Sequence, residues 1–246
     1  MSLPVFVAES LDATSVGGVV ELSGEEARHA VVVRRVRVGE RVALTDGRGT
    51  TATCTVTATG RSSLVGRVEE LSSAAPDSPR LLVVQAIPKG DRGELAVEML
   101  TEVGVDVVVP WAAARSVAVW RGERAAKSLA KWRATAREAG KQSRRSWFPQ
   151  VADLATTPDV VALLRGAALP VVLHEGAGAP LAAVEVPAQG DVVLVVGPEG
   201  GLSDEELGAF TEAGARAHRL GRSVLRTSTA GVAACAVLLA RTPRWA

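Results

Sequence analysis

Over the first third of the chain, β-branched and small apolar residues recur in short runs at 19–22, 41–44, 51–57 and 63–68. Gly17-Gly18, Asp46-Gly47 and Gly60 separate them. Within 51–57, threonines alternate with Ala52, Cys54 and Val56, the period-two pattern of a strand with one face buried. Evenly spaced short strands with turn residues between them predict a small β-barrel over residues 1–72. Residues 73–80 are small, polar and proline-containing, without periodicity, and read as a linker. Beyond the linker the pattern changes. Apolar runs at 81–87, 105–110, 171–174 and 192–196, with a weaker one at 216–220, are each followed by helix-length sequence. Uninterrupted Val/Leu runs suit strands covered on both faces, so residues 81–246 are expected to form an α/β domain around a mostly parallel sheet. Ser203 with Glu206 three residues on makes a capping box, predicting a helix over 203–213 that Gly214 ends. Residues 229–240 are apolar or small nearly all round, which predicts a buried final helix.

Composition narrows the class. The 246 residues are 47% hydrophobic and 22% charged, too apolar for a disordered chain and long enough for two cores. Two cysteines, Cys54 and Cys235, build neither a disulfide framework nor a cysteine zinc site. His29 and His218 stand in no ligand-like cluster, so no metal is expected. No basic segment leads into an apolar one at the start, and no uncharged run nears the ~20 residues that span a bilayer. A soluble, cytoplasmic protein with no membrane partner is the expectation.

Charge sharpens this further, because the net value of +1 conceals an asymmetry. Between Arg115 and Arg145, ten basic residues stand against two acidic ones, a net of +8 in 31 residues. The other 215 residues hold 18 basic and 25 acidic groups, a net of −7. Such a segment marks a surface for a polyanion. Trp120, Trp132, Trp147 and Phe148 lie in or beside it, either as stacking partners for unpaired bases or buried beneath a solvated helix face.

In parallel sheets ligands bind beyond the carboxyl ends of strands, where three loops are candidates. Leu173-His174-Glu175-Gly176-Ala177-Gly178 lacks the third glycine of a dinucleotide fingerprint and reads as a plain loop. Gly197-Pro198-Glu199-Gly200-Gly201 allows close backbone approach to a ligand, or simply makes a tight strand-to-helix turn. Residues 220–231, beginning Leu220-Gly221-Arg222-Ser223-Val224-Leu225-Arg226-Thr227, carry two arginines and four hydroxyl residues just ahead of an apolar helix. The hydroxyls can cap that helix. A guanidinium at a helix N-terminus opposes the dipole, which points to something anionic or polar near Arg226.

The second and third loops together resemble the SPOUT class of RNA methyltransferases. Within that class, the chain is most similar to the bacterial family that methylates N3 of a uridine in 16S ribosomal RNA. His29, Val33, Arg35 and Gly39, then Asp46-Gly47 and Gly49, resemble that family's PUA-like RNA-binding barrel. Lys89-Gly90-Asp91-Arg92, Glu102-Val103-Gly104-Val105, Arg115-Ser116, Glu138-Ala139, Gln142-Ser143 and Arg145 follow in the family's order. The resemblance implies a trefoil knot in the α/β domain, a homodimer with the site at its interface, and S-adenosylmethionine as cofactor. By position, the cofactor would be cradled by Leu173, His174, Glu175, Gly197, Pro198, Glu199, Gly200, Gly201, Leu220, Gly221, Ser223, Val224 and Leu225.

The implied chemistry makes its own demand. Uridine N3 is a poor nucleophile until its proton leaves, so the site must stabilise an anionic uracil. Arg226 is the candidate for that role unless it bonds loop carbonyls instead, and Glu199 either orients the ligand or accepts a proton unless it bonds loop amides. The family often has Glu where Ser228 stands, which leaves the base unassigned. RNA contacts are expected from His29, Arg34, Arg35 and Arg37 on the barrel and from Lys89, Arg92, Arg115, Gln142, Arg144 and Arg145. The partner is 16S RNA or the small subunit. Two alternatives share much of this pattern: a non-catalytic RNA-binding or ribosome-assembly factor, and a SPOUT enzyme acting on another base or ribose of rRNA or tRNA.

Overall fold

The structure, a computed structural model, describes residues 3–245. Contacts divide the chain into two compact units, Met1–Pro76 with Gly140–Phe148, and Asp77–Ala139 with Pro149–Ala246.

The first unit is a curled five-stranded sheet. Its strands are β1 (Val5–Val7), β2 (Val19–Ser23), β3 (Arg41–Thr45), β4 (Thr50–Thr59) and β5 (Ser63–Ser73), in the order β1-β3-β4-β5-β2. All pairs are antiparallel except β1 with β3. The alternation read in 51–57 holds: Ala52, Cys54 and Val56 are buried among Val42, Leu44, Leu64 and Val68. A short helix α1 (Gly24–Arg28) runs on into one π-turn, His29–Val33. Strand β1 carries no alternation long enough to be read from sequence, and β5 continues to Ser73, into the stretch that reads as linker.

Residues 140–148 complete this unit. Phe148 donates its N–H to the Gly47 carbonyl at 2.9 Å, and Gly49 donates to Ser146 at 2.9 Å. The Phe148 ring is gripped between Gly47 and Gly140, where an added Cβ would come within 2.8 and 2.7 Å of it. Trp147 donates its indole N–H to the Ala74 carbonyl at 2.8 Å. These two aromatics are therefore packing residues rather than stacking platforms for bases. Lys141 is buried and paired with Glu26 at 2.9 Å, so its charge is spent inside the unit.

The second unit is built on a six-stranded sheet, parallel throughout. Its strands are β6 (Arg80–Ala86), β7 (Val107–Trp111), β8 (Gln150–Val151), β9 (Leu169–Leu173), β10 (Asp191–Val196) and β11 (Arg216–His218), in the order β11-β9-β10-β6-β7-β8. Its helices are α2 (Arg92–Val103), α3 (Gly122–Gln142), α4 (Thr157–Gly166), α5 (Asp204–Glu212) and α6 (Thr227–Leu239). Both faces are covered, as uninterrupted apolar strands require. Leu81 and Val83 face a core with Val97 and Leu100 of α2, Trp132 of α3 and Ala234 and Leu238 of α6. Leu82 and Val84 face the other core, with Val160 and Leu164 of α4 and Phe210 of α5. Arg80 and Asp191 make a two-pronged ion pair at 3.0 and 2.9 Å that fixes the register of β6 against β10. The capping box of α5 forms as the sequence predicts: Glu206 donates its N–H to Ser203 Oγ at 3.2 Å, and Ser203 donates its N–H to Glu206 Oε2 at 3.0 Å. No helix among the described residues is long and apolar enough to cross a membrane.

Candidate functional site

Strands β6, β9, β10 and β11 are neighbours in one parallel sheet, so their carboxyl ends deliver four loops to one place. A cavity of about 350 Å³ lies there. Leu173, His174 and Glu175 reach it from the end of β9; Gly197, Pro198, Glu199 and Gly201 follow β10; residues 219–227 follow β11. Of the residues that the sequence assigns to cofactor binding, all line this cavity except Gly200. The missing side chain of Gly200 is needed on another side, where an added Cβ would meet the Arg115 carbonyl at 3.0 Å.

Backbone shape makes the loops. Gly201 and Gly221 sit at φ +72° and +73°, in the left-handed region that costs an ordinary residue roughly 1–2 kcal/mol. The glycine loop is braced from outside by Arg115, which donates to the Leu202 carbonyl at 2.9 Å. Arg115, expected on the RNA, has at least part of its hydrogen-bonding capacity committed to this loop.

Glu199 has a comparable task. Its Oε1 accepts the Lys89 backbone N–H at 3.2 Å, tying the glycine loop to the loop that follows β6. The bond to a loop amide, one of the two readings open from sequence, is present. Arg226 occupies the N-cap position of α6. Its carbonyl accepts from the Thr229 and Ala230 amides at 2.8 and 2.9 Å, which fixes the backbone while its side chain lines the cavity, exposed. Ser228, where a carboxylate often stands in the resembled family, is buried in the first turn of α6.

Three contributors escape a sequence reading. The first is Arg219, at the exit of β11, which lines the cavity together with Arg92, at the start of α2, Arg222 and Arg226. Four guanidiniums thus stand against two carboxylates, Glu175 and Glu199, giving a rim that favours an anion. Gln85 lies beneath. Thr227 donates its hydroxyl to the Gly197 carbonyl at 2.8 Å, so its oxygen must accept from the Gln85 amide at 3.0 Å. This chain of bonds joins β6, the glycine loop and α6. The third contributor is His218, buried at the end of β11, whose carbonyl accepts the His174 N–H at 3.0 Å. Burial, with a smaller push from Arg216, holds its imidazole below the usual histidine range against the opposing effect of a bond to Pro180. Both cysteines are buried with thiols pushed up by desolvation, Cys54 to about 11, so neither is a nucleophile at neutral pH.

The expected RNA contacts are dispersed. Arg34, Arg35 and Arg37 are exposed on the first unit; His29 is half-buried with its ring edge-on to Phe6. Gln142 and Arg144 are exposed, Arg145 half-buried, all in the segment that packs with that unit. Lys89 is exposed in the second unit, where Arg92 belongs to the cavity itself. Among the described residues, no group of three or more His, Cys, Asp or Glu stands together as metal ligands would.

Comparison with known proteins agrees with this geometry. A family model described as an RNA methyltransferase domain matches residues 76–239, and one described as an RNA methyltransferase PUA domain matches residues 22–69. Ribosomal RNA small subunit methyltransferase E of Mycobacterium bovis is 45% identical over 246 residues, covering 98% of this chain and 93% of the relative. The chain belongs to the ribosomal RNA small subunit methyltransferase E family. Its relative in Bacillus subtilis is 29% identical over 85% of both chains. Among solved structures, methyltransferase E of Neisseria gonorrhoeae bound to S-adenosyl methionine superposes with a TM-score of 0.86 at 29% identity, covering 97% of this chain and 98% of that one. A putative methyltransferase of Legionella pneumophila in complex with the same cofactor gives 0.85 at 27% identity, covering 98% and 99%. The methyltransferase E family is thus the frame in which the cavity is to be understood.

Proposed function

We propose that this protein transfers the methyl group of S-adenosylmethionine to N3 of a uridine in 16S ribosomal RNA. The cavity beyond β9, β10 and β11 carries the reading, because it combines a close backbone approach for the cofactor with an exposed guanidinium, Arg226, for the base. The residues present fit the cofactor. Glycine backbone at 197, 201 and 221 leaves room beside its adenine, Leu173 and Leu225 offer apolar cover, and the arginine rim suits its carboxylate. When bound, S-adenosylmethionine supplies an electrophilic methyl on a sulfonium.

This chain's residues do the rest. The uridine N3 proton passes to water, the charge left behind spreads over the base oxygens, and a guanidinium aimed there stabilises it. Arg226 has that role, held in place by its own carbonyl's bonds to the first turn of α6. Glu199 orients the glycine loop through the Lys89 amide. In the same reading residues 1–72 grip RNA through Arg34, Arg35 and Arg37, while residues 81–246 perform the transfer. The protein works in the cytoplasm as a homodimer, whose partner copy would cover Val224, which is 79% exposed beside the cavity. The connection after β11 would be knotted, as in the family it resembles.

The test is methylation in vitro with labelled cofactor, on small subunits and on naked 16S RNA, with the product nucleotide identified by mass. N3-methyluridine is expected. A methylated ribose or another base would overturn the assigned chemistry, and cofactor binding without transfer to either substrate would favour a non-catalytic binder.

A further inference from the structure

The loop after β6 and the first turn of α2 border a second cavity. Arg92 lines the first cavity, whereas Lys89 and Gly93 line another of about 370 Å³, within the size range of small-ligand pockets. Neighbouring residues of one short segment thus serve both spaces. The Lys89 amide is also the donor that Glu199 of the glycine loop accepts at 3.2 Å, so a hydrogen bond ties the walls of the two cavities together.

One wall of the second cavity is aromatic and apolar. Trp132 is buried against Gly93, where an added Cβ would lie 2.6 Å from its ring, and Trp120 stands edge-to-face with it at 5.0 Å and 81°. In such a pair the partner covers at most one face of a ring, so Trp132 leaves at least one face of Trp120 uncovered. Trp120 is half-buried and lines the cavity. Val117 and Val119 also line it, 65% and 51% exposed, and extend this wall toward solvent. The other wall is cationic, with Lys89 and Arg124 both exposed. Glu94 shares the lining, but one carboxylate oxygen pairs with Lys131 at 3.0 Å and the other is buried. Its charge is therefore met within the protein, and it reads no ligand.

An aromatic face beside two exposed cations is what an unpaired nucleotide requires, the ring for its base and the cations for its phosphate. We propose that the second cavity holds an unpaired nucleotide of the RNA substrate, its base stacked on Trp120 and its phosphate held by Lys89 and Arg124. Stacking accepts any base, so the site fixes where the strand lies rather than reading its sequence. The inference rests on the proposed function for the presence of RNA, but its test does not depend on methyl transfer.

Two labelled strands are titrated by fluorescence anisotropy without cofactor: a pentauridylate, and a ribose-phosphate strand of the same length that carries no bases. Trp120→Leu should weaken the pentauridylate by about tenfold, as loss of one stacked base does, and leave the abasic strand unchanged. Lys89→Ala combined with Arg124→Ala should weaken both strands by a common factor. Pentacytidylate should respond to each variant as pentauridylate does. In the unchanged protein, pentauridylate should quench tryptophan emission and the abasic strand should not; Trp120→Phe should keep most of the affinity and lose that quenching. Thermal melting reports whether each variant is folded, and the quenching in the unchanged protein needs no variant.

Absence of quenching overturns the proposal, and so does an equal loss from both strands in Trp120→Leu. An abasic strand indifferent to the paired alanine variant removes the phosphate contact and overturns it too. Uridine monophosphate binding as tightly as the strand would identify a site for free nucleotides. Sedimentation showing that Trp120→Leu separates two copies of the chain would give this face to the partner copy. Either result overturns the RNA assignment. Methyl transfer without the Trp120 effect would sink this inference alone, and the Trp120 effect without methyl transfer would sink the assigned reaction alone.

Discussion

Arg226 is exposed at the N-cap of α6, a position where the helix dipole disfavours a cation and where its side chain makes no capping bond among the described residues that would repay the cost. The anionic uracil of the proposed reaction would supply the missing partner. Arg226→Ala should therefore abolish methyl transfer while leaving cofactor affinity, read by calorimetry, within a few-fold of wild type. Full activity in that variant would remove the residue from the chemistry. His218 behaves differently because it is buried. Its pKa is lowered from 6.5 on folding, so the unfolded chain binds the proton more readily. The stability that its neutral form maintains is complete above about pH 6.5 and is lost progressively as pH falls through the lowered folded-state value. The melting temperature should drop over that range more in the wild type than in His218→Gln, which keeps a donor for Pro180 but cannot titrate. At this scale the sequence was partly legible. Arg226 stood out because a local rule, the helix dipole, was broken in plain view. Gln85 did not, since its partner Thr227 lies 142 positions away and only the fold brings them together.

Between elements, the bond chain from Gln85 through Thr227 to Gly197 couples three pieces that also form the cavity: β6, α6 and the glycine loop. Thr227→Val preserves shape but takes the hydroxyl donor from the Gly197 carbonyl and leaves the Gln85 amide only its bond to the Ala86 carbonyl. An unsatisfied buried group costs about 1–3 kcal/mol, so chemical unfolding should register a loss of that order. Cofactor affinity should fall too, because Gly197 loses its anchor; an unchanged affinity would mean the loop holds its own shape. The elements themselves were legible wherever one local pattern decided them. Ser203 with Glu206 announced α5, and the Val/Leu runs announced β6, β7, β9 and β10. Short elements whose stability comes from elsewhere were not. β1 and β8 have three and two residues, too few for any periodicity, and exist because β3 and β7 offer them an edge. The sequence leaves open whether Trp147 and Phe148 stack on bases or pack, for a similar reason: the glycines that receive them, Gly49 and Gly47, are about a hundred residues upstream.

Over the whole molecule, the +8 segment between Arg115 and Arg145 is less uniform than its count suggests. Lys131 pairs with Glu94, Arg133 with Asp153 and the Val151 carbonyl, and Lys141 with Glu26; Arg115 braces the glycine loop. Arg121, Arg124 and Lys127, all exposed at the start of α3, are the better candidates for phosphates. Each phosphate contact releases about 0.7 counterions from single-stranded RNA, so neutralising all three should flatten the slope of log K against log salt by about 2. Arg133→Ala is the control: it removes one positive charge from the same helix, but from a side chain already committed to Asp153, and its slope should stay near that of the wild type. Lys141→Met should act on stability rather than on the salt slope, since it removes one partner of a buried ion pair. Flattening by Arg133→Ala of about a third of that in the triple variant would mean that net charge, not its placement, attracts the RNA. A flattened slope in the triple variant with none in Arg133→Ala would assign the attraction to the residues that open α3.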